Sequence, residues 1–159
     1  MKFTPGRLQA STDFFTIYFH KDGFLYVDWT GFQSKSSVYD GCEKMLHFLK
    51  LTGVSKVIND NSNAKGIWDH NWVAVNWFPK MEKAGIKKFA WVLSPESICR
   101  FEATSAIMAI SASSLVKTFE NVETAKEWIL NTGSFDTSSR DILKENFQSP
   151  KVTTNRISY

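Results

Sequence analysis

Two short runs rich in aromatic and β-branched residues open the pattern, at residues 15–20 and 24–30. Lys21-Asp22-Gly23 stands between them, and an Asp-Gly step between two such runs predicts a hairpin. In the second run Leu25, Val27 and Trp29 share one face and Phe24, Tyr26 and Asp28 the other, with Gly31 as the expected end. From Ser34 the period lengthens. Val38, Cys42, Met45, Leu46 and Leu49 fall at helical spacing, with Ser36 or Ser37 as the expected cap and Gly53 as the stop. Residues 54–59 read as a third strand, and Asp60-Asn61-Ser62-Asn63-Ala64-Lys65-Gly66 as a polar loop of turn formers.

The densest apolar pattern follows. Val73, Trp77 and Met81 line one face of a helix expected over 68–84, with Trp68 and Trp72 on a neighbouring face. Pro79 lies inside it and removes one backbone donor, which predicts a kink, or two abutting helices, near Val75. After Gly85, Phe89, Trp91 and Leu93 alternate with Ala90 and Val92 in a fourth strand. Ser94-Pro95 reads as the start of a further helix that runs over 98–112. Residues 114–119 form a fifth strand. Asn121 caps a last helix over 122–130 that faces Val122, Ala125, Trp128 and Ile129 inward.

The order β-β-α-β-α-β-α-β-α predicts an α/β fold: a mixed five-stranded sheet, mostly parallel after the second strand, with helices packed on it. One domain is expected over 1–131. Residues 132–159 are a polar C-terminal extension whose main apolar residues are Ile142, Leu143 and Phe147. One or two helical turns are expected at 141–147. The extension either lies on the body or docks as an arm on a second copy.

Composition narrows the function classes. A net charge of +3 is too small to argue for nucleic acid. The 13 Phe and 6 Trp indicate a bulky core first, and an aromatic-lined pocket or an interface second. Cys42 and Cys99 form no C-x-x-C pair and stand far from His20, His47 and His70, so no zinc site is expected. Cys42 suits a free core thiol in a reducing compartment. Residues 1–7 lack an apolar signal-peptide region, and no run approaches the ~20 apolar residues of a membrane span. The expectation is a cytoplasmic protein with no membrane span.

Phosphate-cradling glycine loops and the G-x-S-x-G nucleophile elbow do not occur in the sequence, so neither a cofactor nor a catalytic residue is expected. The concentrated polar set is Asp60, Asn61, Ser62 and Asn63, with Asp69 and His70 in the first turn of the following helix. Ligands of open α/β sheets favour the carboxyl ends of strands, and a helix N-terminus offers free N–H groups there. Loop capping and helix-dipole stabilisation by Asp69 explain the same residues without a ligand. Trp68 and Trp72 lie off the core seam and point to a groove or a subunit contact. The candidate ligand or partner surface is therefore Asp60, Asn61, Ser62, Trp68, His70 and Trp72.

Several segments occur in an order that resembles the SpoIIAA-like, or STAS-like, family of small stand-alone bacterial proteins. They are Val27-Asp28-Trp29-Thr30-Gly31-Phe32, Asn59-Asp60-Asn61, Trp72 with Trp77-Phe78-Pro79, and Ala84-Gly85-Ile86-Lys87-Lys88-Phe89-Ala90. The last is Phe119-Glu120-Asn121-Val122-Glu123-Thr124-Ala125-Lys126-Glu127-Trp128-Ile129. The resemblance spans about residues 15–130. It implies a non-enzymatic domain that binds partner proteins, nucleotides or other small ligands, on a fold shared with CRAL-TRIO lipid carriers. Anti-sigma antagonists of the family carry a phosphorylatable serine in an Asp-Ser-Ser-Gly context after the third strand. The corresponding residues are Asp60-Asn61-Ser62-Asn63-Ala64, which makes Ser62 the implied phosphosite and lacks the glycine.

Three functional expectations result. The first is a non-catalytic module acting through protein–protein contact, as a homodimer. The second is a carrier or sensor of a small apolar or amphipathic ligand, held in an aromatic pocket near Trp68 and Trp72. The third is a hydrolase using Asp60, Asp69 and His70.

Overall fold

Gly23 takes a left-handed φ of 88°, and its N–H closes on the His20 carbonyl at 2.9 Å, so the chain reverses at the predicted turn. The flanking strands, β2 (Phe15–His20) and β3 (Phe24–Gln33), pair antiparallel from Phe15 opposite Trp29 to His20 opposite Phe24. The computed structural model describes residues 2–131, so the expectations for the extension 132–159 lie outside the described residues. It corrects the strand count. A further strand, β1 (Arg7–Ser11), pairs antiparallel with β2, and among the described residues the sheet has six strands in the order β1-β2-β3-β4-β5-β6 instead of five. Arg7-Leu8-Gln9-Ala10-Ser11 carries no buried face, so its place rests on backbone pairing that leaves no hydrophobic signal.

β4 (Lys56–Gly66), β5 (Lys88–Val92) and β6 (Val116–Phe119) extend the sheet in parallel from β3. The mixed, mostly parallel arrangement after the hairpin is as expected. Two boundaries differ. β3 continues past Gly31, and the stretch read as a polar loop after Asn59 is the second half of β4, where Thr30 to Gln33 pair with Asn63 to Gly66. Pairing with β3 satisfies the backbone of these turn-forming residues, and that overrides their local preference.

The helices start and stop largely on local chemistry. α1 (Lys35–Thr52) is capped by Ser34 in a capping box with Ser37, in place of Ser36 or Ser37, and ends on left-handed Gly53. The tryptophan-rich helix is three pieces: α2 (His70–Trp72), a π-helical turn (Val73–Trp77) and α3 (Phe78–Lys83). Pro79 has no N–H to give to Val75, and the Phe78 N–H bonds the Val73 carbonyl five residues back. The expected break near Val75 therefore takes the form of a π turn. Glu96, not Ser94, caps α4 (Ser97–Ala109), accepting from the Cys99 N–H at 2.7 Å. The Ser94 hydroxyl instead donates to the Ala64 carbonyl at 2.6 Å. Asn121 caps α5 (Val122–Leu130), as expected.

Alternation along the strands separates two layers. Leu25, Val27, Trp29, Val57, Phe89 and Trp91 face a large core shared with α1, the π turn, α3 and α4. Phe24, Tyr26, Ile58, Ala90 and Val92 face a smaller one closed by Ala125 and Ile129 of α5. Trp128 is half-buried against Phe119 and is not fully inward. No helix among the described residues is long and apolar enough to cross a membrane.

One position shows packing outweighing propensity. Gly41 sits inside α1, and a Cβ there would collide with Cη2 of Trp29 and lie 2.7 Å from its Cζ3. Helix propensity alone would make Gly41→Ala stabilising by about 1 kcal/mol. The buried indole cannot move aside, so we expect Gly41→Ala to destabilise by about 1–3 kcal/mol in a urea titration. A stabilised variant would show that Trp29 does not pack on α1 as described.

Candidate functional site

The carboxyl ends of β3 and β4 run well past the end of β5, and β4 carries one extra residue there. Asp28 pairs with Asp60, but Thr30 pairs with Asn63. Ordinary strand alternation, ahead of this bulge, sends the predicted polar residues to opposite sides of the sheet. Asn59 and Asn61 turn toward the large core, where the Trp29 indole N–H donates to Asn59 Oδ1 at 2.7 Å and Asn59 Nδ2 donates to Asn61 Oδ1 at 3.5 Å.

Asp60 turns to the other face. The Tyr26 hydroxyl donates to its Oδ2 at 2.6 Å, and the Ser62 N–H donates to its Oδ1 at 2.9 Å. The Ser62 hydroxyl also donates to that oxygen. Burial first, and then the Asp60 charge, keep Tyr26 protonated far above the usual phenol range. Asp28 lies beside this pair. Burial, then the neighbouring Asp60 charge, push its carboxyl up to about 6, against a lowering hydrogen bond from Asn63. Its Oδ1 is buried without a partner among the described residues.

Asp69 and His70 belong to the helical layer. Asp69 caps α2, accepting from the Trp72 N–H at 3.0 Å and from the Tyr39 hydroxyl at 3.1 Å. The Trp72 N–H chiefly, with help from Tyr39, holds its carboxyl below the usual range. His70 Nδ1 lies 3.3 Å from Glu102 Oε2. Asp60, Asp69 and His70 thus have three separate sets of partners. Glu102 is the residue that sequence reasoning missed. Its signal is a carboxylate on the buried stripe of α4, between Cys99 and Ala106.

The tryptophans also separate. Trp68 is 6% exposed and lines a cavity in the large core together with Trp29, Trp77 and Trp91. The cavity has room for about 20 Å³. Trp72 is half-buried, its ring 4.2 Å from that of Tyr39. Neither indole forms an exposed patch; other side chains do. Phe32 (73% exposed), Ile67 (64%), Ile98 (49%) and Phe101 (64%) stand uncovered at this end of the sheet. Phe32 stands opposite Lys65, and Ile67 follows Gly66, the partner of Gln33, at the end of β4. Glu96 ties that strand end to α4, since its carboxylate is hydrogen-bonded by the N–H groups of Cys99, Ile98 and Gly66. Phe101 continues the surface to His70, with ring centroids 6.5 Å apart. Of the expected surface residues, Asp60, Asn61 and Trp68 are buried, Ser62 and Trp72 are half-buried, and His70 stands next to Phe101.

Among the described residues, no group of three or more His, Cys, Asp or Glu side chains is arranged to hold a metal ion. No protein-family model, curated protein or solved structure matches the chain.

The raised Asp28 carboxyl gives a signed pH prediction. Between its ordinary 3.8 and the folded value of about 6, the folded chain holds a proton that the unfolded chain has released. Stability contributed by this group therefore falls as pH rises through that window. Asp28→Asn removes the ionisation. We expect the variant to gain about 1–2 kcal/mol at pH 7.5, below the full equivalent of the shift because the side chain is partly exposed, and to lose the gain near pH 4. A gain that is equal at both pH values in denaturant titrations would contradict the placement of Asp28 beside Asp60.

Proposed function

We propose that this chain is a non-catalytic, STAS-like binding module of the cytoplasm. It works through protein–protein contact at the carboxyl end of its sheet, and a second copy of itself is the occupant. The observation that carries the reading is the set of uncovered apolar side chains at this end of the sheet, Phe32, Ile67, Ile98 and Phe101. Contiguous exposed apolar side chains on a folded domain mark contact sites, because each is costly to leave in water. Near this face Arg100 is paired with Glu120 at 3.0 Å and His70 lies beside Glu102, while the Lys65 ammonium stands over the Phe32 ring at 5.8 Å. At a net charge of only +3, two copies can approach without strong repulsion.

In this reading Ser62 is the modification site. Its hydroxyl rests on Asp60, so a phosphate there would add a dianion beside Asp60 and Asp28 and break that bond. Ser62 phosphorylation would then act by repulsion, loosening the β4 bulge that supports the contact face. A second reading, a carrier or sensor of a small ligand, is favoured by the tryptophan-lined cavity and is independent of the apolar face.

Native mass spectrometry and analytical ultracentrifugation test the first reading. The wild-type chain is expected to be a dimer at micromolar concentration. The Phe32→Ser, Phe101→Ser double variant removes exposed side chains only, so its melting temperature should stay within a few degrees of wild type. Its dimer should weaken by about 100-fold or more. A wild-type protein that stays monomeric up to about 100 μM, or a double variant that dimerises as tightly as wild type, would overturn it.

A further inference from the structure

The cavity between the sheet and the helices has an unusual wall. Trp29 and Trp91 rise from β3 and β5, Trp77 comes from the π turn, and Trp68 closes the side between β4 and α2. Indole N–H groups in a core need acceptors, and three of these have one. Trp29 donates to Asn59, Trp77 donates to the Cys42 carbonyl at 2.8 Å, and Trp68 faces the Cys99 sulfur. Trp91 does not. It is 2% exposed, and its Nε1 has no partner among the described residues. A buried donor without an acceptor is rare and costly in folded proteins. Here it belongs to a side chain that lines open space.

The chemistry of the lining limits what can fill that space. No charged side chain is part of it. A carboxylate, phosphate or ammonium would lose its hydration with no counter-charge in return, so the occupant is neutral. The walls are largely aromatic, with the Trp68 and Trp91 rings stacked on each other at 15° and the amides of Gln33, Asn59 and Asn61 completing the lining. Such walls suit a flat molecule. As it stands, the cavity holds roughly one or two waters. Trp68 lies between β4 and α2, outside any helix or strand, and it is the wall that a ring would have to displace to enter. We infer that the cavity is the binding site of a small, neutral, planar organic molecule that presents one hydrogen-bond acceptor to Trp91 Nε1. The inference rests on the ligand-carrier reading and is separate from the contact face, so dimer formation and ligand binding succeed or fail independently.

Three probes of similar size test it on the full chain: acetophenone (neutral, with a carbonyl acceptor), ethylbenzene (neutral, without one) and benzoate (charged). The readout is the indole N–H region of a ¹⁵N–¹H spectrum, with the Trp91 signal assigned through Trp91→Phe. Acetophenone is expected to shift the Trp91 indole resonance saturably and to bind about tenfold more tightly than ethylbenzene, the worth of one hydrogen bond. Benzoate should leave the spectrum unchanged. In Trp91→Phe the preference for acetophenone over ethylbenzene should vanish. If that variant does not fold, the wild-type titration still decides. No shift at Trp91 up to the solubility limit of acetophenone, equal binding of ethylbenzene, or binding of benzoate would each overturn the proposal.

Discussion

The Trp29 indole is the interaction on which most of this architecture depends. Its N–H is satisfied by Asn59 on the neighbouring strand at 2.7 Å, its ring lies over Gly41 of α1, and it packs against Phe15 of β2 with centroids 5.4 Å apart. One side chain thus fixes the register of β3 against β4, the closeness of α1 to the sheet and the packing of the hairpin. A buried indole with its donor satisfied combines large apolar contact with directional bonding. Orienting the Asn59 amide also turns its Nδ2 to Asn61, which holds the start of the β4 bulge. The ends of β3 and β4 pair on past that bulge, and they carry Phe32 of the proposed contact face and Ala64 of the cavity wall.

Alternation then divides the labour between the two sides of the sheet. The helical side carries the tryptophans and the cavity; the α5 side carries Tyr26, Asp28, Asp60 and Ser62. Burial first, and then the in-register Asp60 carboxylate on the neighbouring strand, raise the Asp28 carboxyl. The Tyr26 hydroxyl donates to Asp60. Both clusters lie at the strand carboxyl ends, so a change in the β4 bulge reaches each of them.

What the sequence made legible was what local chemistry decides. The Asp22-Gly23 hairpin, α1 with its Gly53 stop, the break caused by Pro79 and the Asn121 cap of α5 each depend on a few adjacent residues. What it hid was decided by partners distant in the chain. β1 has no apolar alternation because it is an edge strand, and the polar half of β4 becomes a strand through its ladder with β3. Helical periodicity extended back to Trp68 puts it in the first turn of the helix, at a groove, a subunit contact or an aromatic pocket. It precedes α2 and folds inward over the cavity instead. Phe32, Ile67, Ile98 and Phe101 stand far apart in sequence, so no window of the chain shows them as one surface. The same holds for Glu102, whose meaning depends on His70 across the α2–α4 contact.

The central claim is that the carboxyl end of the sheet is where this protein meets a partner copy. Hydrogen–deuterium exchange of the full chain, run at one concentration below dimer formation and one well above it, tests that most directly. The account predicts new protection in peptides that contain Phe32, Ile67 and the first turns of α4 around Ile98 and Phe101, with α5 and the β1 edge unchanged. Protection that instead appears along β1 or over α5, with the Phe32 and Phe101 peptides exchanging as before, would contradict it.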